Sequence, residues 1–167
     1  MSVMHPNVQA VQDALAAAGA EGQVIMLPDA VSTAALAAAA LNVEVGQIAN
    51  SLIFAVAAAP EGGREADDKP LLVLTSGAHR VDTAKVAALL GVAAIKRATP
   101  EFVREHTGQP IGGVAPLGHP QPVPTLVDVA LAEHPVVWAA GGIPHAVFPT
   151  TYEELVTLTG GTPAEVA

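Results

Sequence analysis

Between residues 7 and 19, Val8, Val11 and Leu15 recur at helical spacing, which predicts an amphipathic helix capped by Asn7 and stopped by Gly19. Residues 23–27 predict a short strand ended by Pro28-Asp29. Ser32-Thr33 then caps a small-residue helix over 34–41, with Asn42 just past its end and one helical turn or a strand entry at 45–48. The pattern changes over 50–58, where both faces are apolar, as in a strand covered on two sides. A Gly-, Glu- and Asp-rich loop at 60–69 leads to a partner strand at 70–75.

Ser76-Gly77-Ala78 turns into a helix over 81–90, stopped by Gly91, and a short strand follows at 93–96. Thr99 caps a helix with Pro100 in its first position and Phe102 and Val103 on its buried side, ending near Thr107-Gly108. Three prolines keep 119–124 extended. Strands are expected at 125–131, 136–140 and 146–148, the last two around the turn Gly141-Gly142-Ile143-Pro144-His145, with a turn at Glu133-His134. Thr150-Thr151 caps a final helix over 152–159. Strands and helices mix without strict alternation. This favours one α+β domain over 1–167, with a curved, mixed but mainly antiparallel sheet surrounded by helices.

Composition narrows the chemistry. The chain is 51% hydrophobic but only 3% aromatic, so its core must be built from Ala, Val and Leu. It has no cysteine, which excludes disulfides, thiolate metal sites and a cysteine nucleophile. Neither a signal peptide nor an apolar run of membrane-spanning length is present, so a cytoplasmic protein is expected. A formal net charge of −9 argues against general binding to duplex DNA. Of the seven basic residues, however, Arg80, Lys85, Lys96, Arg97 and Arg104 fall in one stretch, opposed there only by Asp82 and Glu101. Either a local basic patch or scattered solvated charge fits this spacing.

The familiar catalytic motifs are absent: no Gly-x-Ser-x-Gly, no phosphate-binding loop, no His-Glu-x-x-His. The six histidines follow no metal-ligand spacing. What stands out is Ile111-Gly112-Gly113-Val114-Ala115-Pro116-Leu117-Gly118, a glycine-rich loop closed by proline. Taken alone it reads as a turn between elements; it can equally line a pocket with main chain, since glycine lets backbone approach a ligand. His119 directly follows it, and His145 sits in the later glycine turn; each is a turn residue or a pocket group. Asn50 is polar at the entrance to an apolar strand, either capping it or aiming an amide into a pocket under the loop.

The ordered set of segments resembles the YbaK/ProX family, the aminoacyl-tRNA editing domain associated with bacterial prolyl-tRNA synthetases. The resemblance rests on the helix from Thr33 to Leu41-Asn42-Val43, on Val45-Gly46-Gln47-Ile48-Ala49-Asn50-Ser51-Leu52-Ile53-Phe54, on Ser76-Gly77 followed by Arg80-Val81-Asp82, and on Thr107-Gly108 through the loop from Gly112 to Gly118. It covers nearly the whole chain. It implies hydrolysis of misacylated tRNA, with tRNA for proline carrying a small amino acid as the expected substrate. The charged 3′ acceptor end of that tRNA and a prolyl-tRNA synthetase are the implied partners, with no cofactor, metal or membrane.

In that reading Gly112, Gly113, Val114, Ala115, Pro116 and Asn50 are catalytic. Thr33, Ser51, Ser76, Gly77, Gly118, His119, Gly142 and His145 bind substrate, and Arg80, Lys85, Lys96 and Arg97 hold the tRNA. Backbone groups of the loop and the ribose hydroxyl of the tRNA position the water, which suits a chain without a catalytic triad.

The chain departs from the family at Asn50, where lysine is usual. Asparagine keeps hydrogen-bonding capacity but has no ammonium to meet a phosphate. Two rival readings stand beside the editing one, the first of them resting on Asn50. One is a non-catalytic relative that binds an aminoacyl-tRNA end or a nucleotide; the other is an unrelated small-molecule hydrolase using His119 or His145.

Overall fold

The structure, a computed structural model, describes residues 5–57 and 68–167. The expected loop at 60–69 and the last residue of the strand expected at 50–58 therefore lie largely outside the described residues.

Helix α1 (Pro6–Ala17) buries Val8, Val11 and Leu15. Its cap is His5, whose Nδ1 accepts from the Asn7 N–H, and not Asn7 itself; Pro6 takes the first helical position and pushes the cap one residue before it. Strand β1 (Ile25–Met26) is followed by α2 (Ala34–Leu41), capped by Thr33 and closed by Asn42 in the left-handed region. A 3-10 turn (Val45–Gln47) leads into β2 (Ile48–Val56) and then β3 (Lys69–Ser76). Next come α3 (Thr83–Leu90), β4 (Ile95–Arg97) and α4 (Pro100–Thr107), capped by Asp82 and Thr99.

Strand β5 (Thr125–Asp128) is shorter than the expected 125–131. Asp128 ends it by accepting the Ala130 N–H and capping a 3-10 helix, Val129–Glu133. Strands β6 (Val137–Ala140) and β7 (Ala146–Thr150) form a hairpin, and α5 (Tyr152–Thr159) follows its Thr151 cap. Strand β8 (Thr162–Ala164) was not expected from the sequence.

All eight strands join one mixed sheet in the order β1-β7-β6-β2-β3-β5-β8, with β4 also on β2. The pairs β1–β7, β2–β3, β2–β4 and β6–β7 are antiparallel; β2–β6, β3–β5 and β5–β8 are parallel. Helices cover both faces. Val11 and Leu15 of α1, Phe102 and Val103 of α4 and Leu155 of α5 pack on one face with Ala49, Ile53, Leu72 and Leu74. On the other face α3 packs through Val86 against Phe54, Leu71 and Val73, and α2 through Ala37 and Ala38 against Ile48 and Val147.

The central strand β2 pairs with β3 along its whole length. Its opposite edge is shared. Strand β6 takes Ile48 and Ala49, and β4 takes Phe54 to Val56. The sheet therefore forks, and between the branches a short length of β2 has no neighbouring strand.

Candidate active site

A cleft of about 560 Å³ opens at this fork. Its floor is β2 from Ile48 to Phe54, so it contains both Asn50 and Ser51. The residues leading into α2, including Ser32 and Thr33, form one wall; His79, Arg80 and Val81 before α3 form another. Ala139 and Ala140 at the end of β6 line it, as do Gly112 and Val114 of the glycine loop. Period-2 alternation sends the Asn50 side chain to the face of Ile48 and Phe54, and the Ser51 side chain to the face of Ala49 and Ile53. Asn50 is half-buried, and its amide has no hydrogen-bond partner among the described residues.

The glycine loop is held from several directions. Gly112 has φ +87°, and a side chain there would press within 2.9 Å of the Ser32 Cβ. Gly113 is packed on Ile143-Pro144, where a Cβ would come within 2.6 Å of backbone carbon. These two positions need glycine, one for its φ and its proximity to Ser32, the other for close approach of two backbones.

Both main-chain groups of Ala115 are already committed: its N–H donates to Gln109 Oε1 at 2.8 Å, and its carbonyl accepts from His119 Nε2 at 2.7 Å. The Gly113 N–H donates to the Pro110 carbonyl. Gly112 and Val114 make no main-chain hydrogen bond with the described residues and face the cleft. Of the five loop residues expected to be catalytic, these two are therefore placed to meet a ligand. Gly113, Ala115 and Pro116 are buried behind them and support them.

His119 likewise departs from expectation. It does not line the cleft; it braces Ala115 from behind. Because a carbonyl only accepts, Nε2 must carry the hydrogen. Burial holds the pKa of His119 below the ordinary histidine value, against a weaker upward pull from the Ala115 hydrogen bond.

Other expected substrate contacts also sit outside the cleft lining. Gly118 packs on Val11, and Gly142 lies against Asn7, whose Nδ2 donates to its carbonyl. His145 accepts the Leu27 N–H through its carbonyl. Ser76 Oγ donates to the Gly46 carbonyl, and Gly77 is wedged between Val45 and Ala34. These residues tie the elements around the cleft together. Thr33 lines it and caps α2 through Oγ1.

The four expected tRNA-binding cations divide. Arg80 and Arg97 line the cleft, and the Arg97 guanidinium lies 5.9 Å from the Phe54 ring centroid, a cation–π distance. Lys96 points to the opposite face of the sheet by alternation. Lys85 is turned away toward the Ala167 carbonyl and Glu165. Beside Arg80 lies a couple of His79 and Asp128. His79 Nδ1 is 3.0 Å from Asp128 Oδ2, an oxygen that also accepts from the Ser76 N–H and the Thr75 hydroxyl. A carboxylate so placed is an acceptor, so Nδ1 carries the hydrogen and Nε2 is left for the solvent side. Among the described residues no group of three His, Asp or Glu side chains is placed to hold a metal ion, and no helix is long and apolar enough to cross a membrane.

Chemically, the cleft joins an uncharged amide, free main-chain groups from two directions and two guanidinium groups at its lip. Such a site suits a ligand with a polar, compact end and a negatively charged extension.

The aminoacyl-tRNA editing domain family model matches residues 28–158, which include every element lining the cleft. A crystal structure of a candidate trans-editing enzyme for prolyl tRNA synthetase superposes with a TM-score of 0.85 at 42% identity, covering 98% of each chain. An uncharacterised protein of Bacillus subtilis, YwhH, is 29% identical over 135 residues, which is 81% of this chain and 80% of that one. A proline–tRNA ligase of Bacillus cytotoxicus is 30% identical over 92 residues, 55% of this chain and only 14% of the ligase.

Proposed function

We propose that this chain, which belongs to the aminoacyl-tRNA editing domain family, is a trans-editing deacylase that cleaves the ester of tRNA for proline carrying a small, wrong amino acid. The observation that carries the reading is the single cleft that joins Asn50, Gly112, Arg80 and Arg97 within the family-matched region. The likeness to a candidate trans-editing enzyme for prolyl tRNA synthetase supports the choice of tRNA.

In this mechanism the acceptor end enters past Arg80 and Arg97, which meet its phosphates. Water adds to the acyl carbon, the bond to the ribose oxygen breaks, and that oxygen takes a proton as the amino acid leaves. Gly112 and Val114 hold the water and the developing oxyanion with fixed main-chain dipoles, and a ribose hydroxyl of the tRNA assists. No side chain of the cleft has to act as a strong base. Asn50 orients the acyl end by hydrogen bonding, and the charge that lysine supplies elsewhere in the family comes here from the two arginines. Alanine walls at the fork limit the size of the acyl side chain. A missing methylene is discriminated by only about 1–3 kcal/mol, so exclusion of larger residues is the main selectivity.

The test is a deacylation panel of alanyl-, cysteinyl-, seryl- and prolyl-charged tRNA for proline. Release of a small amino acid with prolyl-tRNA spared is expected; a panel left wholly intact overturns the proposal. Asn50 favours one second reading, a relative that binds the acceptor end without cleaving it. In that case wild type binds charged tRNA without turnover, and Asn50→Lys creates activity.

A further inference from the structure

The pairing register of β2 isolates one residue. The Gly77 N–H donates to the Ile48 carbonyl, so Ile48, Asn50, Leu52 and Phe54 direct their main-chain groups at β3. The intervening residues direct theirs at the opposite edge. There Ala49 faces β6, Ile53 accepts the Ala98 N–H, and Ala55 faces β4. Ser51 alone falls in the fork. Its N–H and C=O point between the two branches and meet no partner among the described residues, and its Oγ is buried without a hydrogen bond. An open N–H and C=O at one residue of the most central strand, lining the cleft, are a ready-made pair of sites for a ligand that can both donate and accept.

From the fork we infer that Ser51 pairs with the aminoacyl group as a strand residue pairs with its neighbour. In an antiparallel hydrogen-bonded pair, each residue gives one N–H and accepts one at its C=O. An aminoacyl ester carries the same two groups at the same spacing: an α-ammonium that donates and a carbonyl that accepts. The ammonium donates to the Ser51 carbonyl, and the ester carbonyl accepts from the Ser51 N–H, which also polarises it. Ala139, Ala140, Gly112 and Val114 line the same cleft, and the stretch of this edge of β2 left between its β6 and β4 branches is one pairing residue long. The substrate class is therefore a single amino acid with a free α-amine; N-acylated aminoacyl ends and peptidyl ends are rejected. This rests on the proposed deacylase reading and specifies how its substrate is held.

The experiment follows amide hydrogen exchange by NMR in the full chain, with 3′-alanylamino-3′-deoxyadenosine as an uncleavable probe and its N-acetyl derivative beside it. In the free protein the Ser51 amide exchanges faster than those of Asn50 and Leu52. Saturating probe slows it about tenfold or more, and the N-acetyl compound does not. Protection of Ser51 in the free chain, no response to the probe, or an equal response to both compounds overturns the inference. Cleavage of charged tRNA is measured separately. Cleavage without a response at Ser51 leaves the deacylase reading standing and removes this one; a response at Ser51 without cleavage does the reverse.

Discussion

His119 donates its Nε2 hydrogen to the Ala115 carbonyl across 2.7 Å, while Gln109 accepts the N–H of the same residue across 2.8 Å. One residue of the glycine loop is thus gripped at both main-chain groups by side chains that do not line the cleft. The loop's shape is set from outside the site it serves.

Stability should therefore depend on the His119 proton. Its pKa is lowered in the folded chain, so the unfolded chain binds the proton more readily. The native state keeps its full margin above the ordinary histidine value, near 6.5, and loses stability as pH falls from there toward the lower folded value. Urea unfolding at about pH 7.5 and about pH 5 should show a drop in wild type that is smaller in His119→Gln. Equal drops in both would remove His119 as the cause.

Gln109→Met should cost about 1–3 kcal/mol, the usual penalty for leaving a buried N–H without an acceptor. Deacylation should fall mainly in kcat, because the loop loses its position while the cleft walls stay in place. Urea midpoints and a kcat-against-KM comparison on alanyl-tRNA check both parts.

Gly112→Ala should reduce activity strongly. A positive φ and contact with Ser32 together cost about 1–3 kcal/mol of strain, relieved by moving the loop. Asn50→Ala should also lower kcat/KM, about tenfold or about 1.4 kcal/mol, because the amide that orients the acyl end is lost. Steady-state deacylation of the two variants beside wild type is the measurement; a silent Gly112→Ala would detach the loop from catalysis.

Arg80→Ala and Arg97→Ala should each weaken tRNA binding and lower the slope of log affinity against log salt by about 0.7, the value for one single-strand phosphate contact. Lys96→Ala, on the opposite face of the sheet, should leave that slope unchanged. Binding titrations at three salt concentrations separate the two outcomes.

Helix ends were the most legible part of the chain. Thr33, Thr99 and Thr151 cap helices as expected, and Asn42, Gly91, Gly108 and Gly160 end them in the left-handed conformation. These signals are local. Strand ends were less so: β5 stops at Asp128, whose Oδ1 caps the next 3-10 turn while Oδ2 takes partners at Ser76 and His79, far away in sequence. β8 has only three residues, one of them proline, too few for any period to show.

The candidate site divides in the same way. Asn50 could be read as a polar break in an apolar strand, and the loop as a run of glycines. That Ala115 and His119 stand behind the loop depends on how it is packed. Gln109, the other half of that grip, carried a weak signal at most, a lone amide between a helix end and a proline. Arg80 and Arg97 could not be separated from Lys85 and Lys96 by spacing alone, because the sorting comes from strand alternation and from the turn of α3.

The fork also bears on solubility. Unpaired main chain on a strand invites another chain to add to it, the usual start of edge-to-edge association. Here the bare stretch lies in the middle of β2, with β6 on one side and β4 on the other. An incoming strand would have to displace one of them before it could extend. The fork thus leaves hydrogen-bonding backbone open over a length too short to serve as a template for another strand.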